Sequence, residues 1–226
     1  MLDSLDRRGV EAALRVALAE RDRRPATSLD LVWTGPEARV SGARDTAVVV
    51  RQLFAGAQRS VLVAGYSFDN GAEILRPLHE AMIGRGVEAT LFLNIEGDAR
   101  SEAEVEPVAA RFVEAFLREN WPFGEPFPEV YYDPRTVLAD SRASLHAKCL
   151  VVDDRYALVG SANFTSRGQT RSIETGVLID DEGFASGLVE QWCGLINAGL
   201  VRRWSTTASD QEPSPGPTCG PPRALR

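Results

Sequence analysis

The strongest constraint on how this chain can fold is a pair of apolar runs in its middle. Residues 146–154 read HAKCLVVDD and residues 156–164 read YALVGSANF. An Asp-Asp-Arg turn joins them, so the two runs pair as the strands of one hairpin. Further strand-like runs lie at 60–68, 88–95, 129–133 and 174–180. Helical patterns alternate with them at 45–58, 72–85, 101–119 and 183–200, the second ending at a Gly86 C-cap. Strands alternating with helices give an α/β domain, and the embedded hairpin makes its sheet mixed.

The ends read differently. Residues 9–24 form an amphipathic helix with Val10, Leu14, Val16 and Leu18 as apolar positions, closed by Pro25. Leu29 to Arg44 reads as loop with short extended pieces, because Gly35, Pro36 and Gly42 interrupt it. In the helix over 45–58, Val48, Leu53 and Phe54 are expected to face inward. The stretch 205–226 holds five of the 13 prolines and too little apolar surface to order itself. The expected division is an N-terminal helix-and-loop extension over 1–43, a domain over 44–204 and a disordered tail over 205–226.

Composition narrows the function classes. A length of 226 residues suits one domain with a real core. No apolar run approaches a membrane span, and the first residues carry no apolar signal region. Cys149, Cys193 and Cys219 lack metal-ligand spacing, which points to a reducing cytoplasm and no disulfide framework. A net charge of −7 argues against a broad duplex-gripping surface. It leaves room for a focused positive pocket.

One count sharpens that pocket. Of 25 basic side chains only Lys148 is a lysine, and it stands two residues after His146, one of 2 histidines. The segment spells H-x-K-x4-D-x6-G-S-x-N, from His146 and Lys148 through Asp153 to Gly160, Ser161 and Asn163. On a strand, residues i and i+2 share a face, so His146 and Lys148 project side by side, as do Ser161 and Asn163. With the hairpin ends together, imidazole, ammonium, hydroxyl and amide converge on a site for a tetrahedral anion, and phosphate fits it best. Each residue alone has a bland reading: a rim histidine, an edge lysine, a turn. Their joint occurrence in a chain so poor in both residue types favours chemistry.

This segment resembles the HKD motif of the phospholipase D superfamily, a likeness extending over about residues 44–200. It implies an α-β-α sandwich with a mixed central sheet. The likeness includes Glu174 in SIETGVLI, since a glutamate at this point contacts the catalytic site in single-motif bacterial nucleases of that superfamily. A narrower set of pieces is similar to the phospholipase D-like component of the bacterial DISARM anti-phage system. They are WTGP (33–36), RDT (44–46), AGYSFDNG (64–71), YYDPR (131–135) and the run from LHAKC to GVLI.

The resemblance implies a mechanism. His146 attacks phosphorus to form a phosphohistidine, and a second histidine protonates the leaving oxygen and then deprotonates water. Lys148 and Asn163 neutralise charge on the nonbridging oxygens. Glu174 holds the imidazole N–H. Gly160, Ser161 and Arg167 are assigned to substrate binding, with Arg171 a further phosphate contact. No metal and no other cofactor is expected. Asp153, at the turn, is expected to hold backbone rather than to react. Since His79 sits in a helix without a lysine partner, the second histidine is expected from a second chain, which makes the site that of a homodimer.

Trp33, Tyr66 and Phe68 are candidates to shape the pocket or stack a base, with core packing the default for Tyr66 and Phe68 at their strand end. Arg44 and Asp45 read as a helix cap and its flank, and the acidic run 102–106 as a helix face. The expected function is a metal-independent phosphodiesterase, a cytoplasmic nuclease of prokaryotic antiviral defence, with nucleic acid as substrate and other defence-system proteins as partners. The alternatives are a phospholipid-cleaving enzyme on the same fold and a weakly active scaffold subunit of a defence complex.

Overall fold

The structure is a computed structural model and describes residues 7–23, 27–36 and 42–205. Its elements in chain order are α1 (Arg7–Arg23), β1 (Ser28–Thr34), β2 (Arg44–Asp45), α2 (Thr46–Gly56), β3 (Ser60–Gly65), β4 (Phe68–Asp69) and α3 (Gly71–Arg85). There follow β5 (Glu88–Leu93), α4 (Glu102–Asn120), β6 (Glu129–Tyr132), α5 (Pro134–Val137), β7 (Lys148–Val152) and β8 (Tyr156–Gly160). The chain continues through β9 (Phe164–Thr165), α6 (Ser166–Thr170), β10 (Glu174–Asp180), α7 (Glu182–Asn197) and β11 (Arg202–Arg203).

Nine strands form one sheet in the order β11-β6-β5-β3-β7-β8-β10-β1-β2. The half built from β3, β5 and β6 is parallel, β7, β8 and β10 run antiparallel to their neighbours, and β1 is antiparallel to β10 but parallel to β2. The mixed sheet expected from the hairpin forms, with helices on both faces as the resemblance implies. One face packs beneath α2, α3 and α4 through Val49, Phe54, Leu75, Leu78, Val113 and Trp121. The other packs beneath α7, where Leu188, Val189 and Trp192 meet Leu62, Phe92 and Val151. β3 is buried on both faces, which explains its unbroken Val-Leu-Val-Ala run.

Local chemistry sets the element ends. Asp45 caps α2 by accepting the Val48 N–H at 2.9 Å. Asp181 caps α7 in the same way through Phe184 N–H at 2.8 Å. Gly86 closes α3 with φ of 69°, a left-handed turn open to glycine at little cost.

Several expectations change. Leu29–Arg44 is not loop throughout: β1 pairs along its whole length with β10, so the sheet begins ahead of residue 44. The strand was hidden because its larger apolar residues face out. Leu29 and Leu31 are exposed, while Val32 and Thr34 are buried. The helix over 45–58 turns Val49 and Val50 inward and leaves Val48 exposed. The run 60–68 is two strands, β3 and β4, and β4 pairs with β9 in a separate two-stranded sheet. α1 forms as a helix, but Leu14, Val16 and Leu18 are exposed. Cys149 is buried and free, whereas Cys193 is disulfide-bonded, against the expectation of no disulfide. The role of Pro25 and the tail from residue 206 lie outside the described residues.

Candidate active site

The hairpin places the motif. β7 and β8 pair from Cys149–Val159 to Val152–Tyr156, and Arg155 N–H closes the turn onto Val152 O at 3.1 Å. Asp153 and Asp154 both have φ of 55°, the left-handed pair of a tight hairpin turn, a region in which aspartate is enriched. Asp153 accepts backbone N–H groups from Gln58, Arg59 and Ser60 at 2.9, 2.7 and 3.0 Å. Its carboxylate therefore ties the turn to the entry of β3. That is backbone holding, as expected, but of a neighbouring segment rather than of its own turn.

At the other end of the hairpin, Lys148 opens β7 opposite Gly65 of β3, and His146 lies two residues earlier. Lys148 Nζ is 2.9 Å from His146 Nε2 and 3.0 Å from Nδ1, and it donates to the His146 carbonyl at 3.0 Å. Tyr66, directly after β3, forms the wall beside both. Its ring centroid is 4.6 Å from that of His146, and Lys148 Nζ lies 4.9 Å from it, within cation–π range. The Tyr66 hydroxyl donates to Glu96 at 2.7 Å, and that hydrogen bond to a carboxylate pushes the phenol above its usual range. Partial burial holds the Lys148 ammonium below the ordinary lysine range, with the Glu174 carboxylate pulling it back up.

The returning strand brings the remaining groups. Ser161 N–H donates to Thr175 O at 3.0 Å, and Thr175 N–H donates to Ser161 Oγ at 3.1 Å. Ser161 Oγ–H donates to Glu174, which begins β10. Glu174 therefore holds a hydroxyl here, and it is Lys148 that lies against the imidazole nitrogens. Within a single chain the hydrogen-bond partner of Glu174 is Ser161. Asn163 leaves its side-chain oxygen buried and unpaired, so no protein donor claims that atom. Unpaired buried polar atoms are uncommon and mark places where a site is incomplete.

Gly160 has a backbone reason. A Cβ there would stand 2.9 Å from Thr175 O and 3.0 Å from Gly176 Cα, so the close approach of β8 to β10 requires glycine. Gly160 thus belongs to the frame of the site, and with Lys148 it lines a small pocket there. Gly65 plays a similar part, since a Cβ would meet the Phe68 ring at 2.5 Å. Phe68 stacks on Phe164 at 5.2 Å, which belongs to the core.

Arg167 is exposed on the short α6 and makes no ion pair among the described residues. Arg44 is engaged elsewhere, with Asp30 at 3.0 Å and Gln52 at 2.6 Å. His79 is buried between Phe123, stacked at 4.9 Å, and Trp121, edge-on at 5.4 Å, with Nε2 3.3 Å from Glu125 O. It is a packed core histidine. Tyr66 is the functional candidate that sequence reasoning underweighted. Its sequence signals were a position at the end of a strand flanking the hairpin and its place in the AGYSFDNG piece.

A family model described as "Cardiolipin synthase, PLD-like domain" matches residues 50–193, more than half of the chain. The chain belongs to the phospholipase D-like family. The curated "DISARM protein DrmC" of Bacillus paralicheniformis is 29% identical over 163 residues, covering 71% of this chain and 60% of that protein. "Cardiolipin synthase B" of Shigella flexneri is 28% identical over 181 residues, 80% of this chain and 39% of that protein. The chain thus spans less than two thirds of either relative. Among solved structures, Nuc of Salmonella typhimurium, titled a phospholipase D family member, superposes with a TM-score of 0.51 at 21% identity. The match covers 80% of this chain and 100% of that one. This shows a shared phospholipase D-like fold. Among the described residues no helix is long and apolar enough to cross a membrane, and no cluster of His, Cys, Asp or Glu could hold a metal ion.

Proposed function

We propose that the chain is a phosphodiesterase that uses His146 as nucleophile and Lys148 as the fixed cation, and that its substrate is nucleic acid. The observation that carries this reading is the contact between Lys148 Nζ and the His146 ring beneath Tyr66. With Nζ 2.9 and 3.0 Å from the two ring nitrogens, the ammonium lies against the face of the imidazole, which leaves an in-plane nitrogen lone pair open to attack phosphorus. A diester bound here would place a nonbridging oxygen on Lys148 in exchange for the contact with the ring. Attack by the imidazole forms a P–N bond and breaks the bond to the leaving oxygen, which takes a proton from a second acid.

His79 is packed in the core, so this chain has no other histidine to supply that acid. A second copy meeting the first about a two-fold axis would provide its own His146. Unbuttoned from Ser161, Glu174 would then be free to orient an imidazole. The unpaired Asn163 Oδ1 is an acceptor, so it suits a site completed by a donor of the second copy. Similarity to DISARM protein DrmC supports a role in cytoplasmic antiviral defence alongside other defence proteins. Similarity to cardiolipin synthase B keeps a lipid diester as the contrasting substrate.

One assay separates these. The purified full chain is incubated with single-stranded DNA, duplex DNA and phosphatidylcholine in the presence of EDTA, beside His146→Ala. Cleavage of DNA that resists EDTA and disappears in the variant supports the proposal. Turnover of the lipid alone overturns the nucleic-acid reading, and turnover of no diester overturns the enzyme reading in favour of a scaffold.

A further inference from the structure

The proposed nucleophile stands on an overhang. His146 lies two residues ahead of β7 and is exposed. An imidazole in such a place turns among its rotamers unless something holds it. Among the described residues its hydrogen-bond-range contacts are with Lys148, and its aromatic contact is with Tyr66. The carboxylate of Glu174 is taken up by Ser161. The ring is therefore steadied from the Tyr66 side.

Tyr66 can steady a neighbour only if it is fixed itself. It follows β3 directly, beside the pair of Gly65 and Lys148, so the sheet sets its backbone. Its ring reaches both working groups. The His146 ring lies 4.6 Å away at an interplanar angle of 56°, and Lys148 Nζ lies 4.9 Å from the Tyr66 centroid. A phenylalanine would offer the same ring. What tyrosine adds is a hydroxyl, and that hydroxyl donates to Glu96 at 2.7 Å. The bond ties down the far end of the ring.

Glu96 can act as an anchor because its segment is held on both sides. Ahead of it, Asn94 N–H donates to Gly65 O at 3.3 Å, which extends the ladder between β3 and β5. Ile95 is fully buried. Beyond it, Gly97 is packed so closely that a Cβ would stand 2.4 Å from Val137 O, and Ala99 N–H donates to that same oxygen at 3.1 Å. The segment also grips the chain next to His146, since Asn94 Oδ1 accepts the Leu145 N–H at 2.9 Å. One short stretch after β5 thus holds the backbone before His146 through Asn94, and holds its ring through Glu96 and Tyr66.

We propose that Glu96 is a positioning residue for His146, acting through the hydroxyl and ring of Tyr66. The inference rests on the reading of His146 as nucleophile. Glu96 works at one remove: it holds the ring that holds the imidazole. Its bond to Tyr66 is exposed and adds little to stability. The rate is far more sensitive, because a small misplacement of a reacting group costs orders of magnitude.

The test compares the full chain with Glu96→Ala, Glu96→Gln, Tyr66→Phe and the double variant Tyr66→Phe/Glu96→Ala. Steady-state kcat and KM are measured on a bis-nitrophenyl phosphate diester and on single-stranded DNA, and thermal midpoints are recorded. Nuclear magnetic resonance spectra of the imidazole groups are recorded in parallel. The chain has only 2 histidines, so His146→Ala assigns the signals, and His79, packed between Trp121 and Phe123, serves as internal reference. Glu96→Ala should lower kcat about tenfold or more, with little change in KM or thermal midpoint. Tyr66→Phe removes the other half of the same bond and should match it, and the double variant should be no worse than either single one. Glu96→Gln keeps an oxygen that accepts the phenol and should recover most of the rate. In Glu96→Ala and Tyr66→Phe the His146 ring signals should move toward those of free imidazole while the His79 signals stay in place.

A Glu96→Gln variant no better than Glu96→Ala overturns the proposal, because the charge rather than the hydrogen bond would then matter. Additive losses in the double variant overturn it too, as do unchanged kcat and unchanged His146 signals in Glu96→Ala. The two readings fail separately. If the wild type cleaves no diester, the enzyme reading falls, and the His146 signals alone decide whether Glu96 holds the ring. If His146→Ala abolishes cleavage but Glu96→Ala cleaves at full rate, the nucleophile stands and the positioning role falls.

Discussion

At the residue scale, one ammonium makes the proposed site positive. Every other basic side chain is arginine, whose planar fork is longer and binds two acceptors in a fixed geometry. Lys148 works instead as a compact point charge within 3.0 Å of both imidazole nitrogens and the His146 carbonyl. Lys148→Arg should keep the charge and lose the geometry. Steady-state kinetics should show kcat down about a hundredfold, the usual scale for losing one donor to a developing oxyanion. Near-normal turnover would show that charge alone suffices.

Glu174 sets a second test. Burial lowers the Lys148 pKa and the Glu174 carboxylate raises it. If the ammonium must be charged, the rate falls as pH rises through that lowered value, earlier than for an ordinary lysine. Glu174→Gln removes the raising influence, so the alkaline limb of the kcat/KM profile should move to lower pH. A limb that stays in place, or moves up, means that Lys148 does not control it.

At the element scale, the hairpin is a rigid bar with a pinned end and a working end. Asp153 does the pinning, through three backbone N–H groups of the segment before β3. The working end is set by Lys148 opposite Gly65 and by the glycine contact of β8 with β10. Asp153→Ala removes the acceptor of all three donors and puts alanine at a left-handed φ. Stability should fall by about 1–3 kcal/mol, read as a lower midpoint in urea with an unchanged m-value. A loss below about 0.5 kcal/mol would show that water replaces the carboxylate without penalty.

The hairpin was legible because its two apolar runs and its turn are contiguous. β1 was not, because an edge-side strand with Leu29 and Leu31 outward inverts the usual apolar-in pattern. Tyr66 was hardly legible either, since a tyrosine at a strand end has no local signature of function.

At the scale of the whole molecule, the phospholipase D-like domain carries one motif, and its other histidine is packed between Trp121 and Phe123. Two-histidine chemistry then requires two chains. Activity per chain should fall as the protein is diluted through its dimer dissociation range. Sedimentation velocity at the same concentrations should show the dimer disappearing in parallel. A monomer that keeps full specific activity would remove the shared-site reading.

The sequence by itself determined the α/β class, the hairpin and the adjacency of His146 and Lys148. The class and the hairpin follow from contiguous apolar runs and the two-residue repeat of a strand, while His146 stands two residues ahead of β7 and meets Lys148 from outside the strand. It also supplied the candidates Ser161, Asn163 and Glu174. Only the tertiary structure decided that Glu174 meets Ser161 and that Tyr66 walls the imidazole. Those pairings join residues far apart along the chain. They depend on strand order and on where the strands end relative to one another. Spacing along the sequence carries no record of that closure.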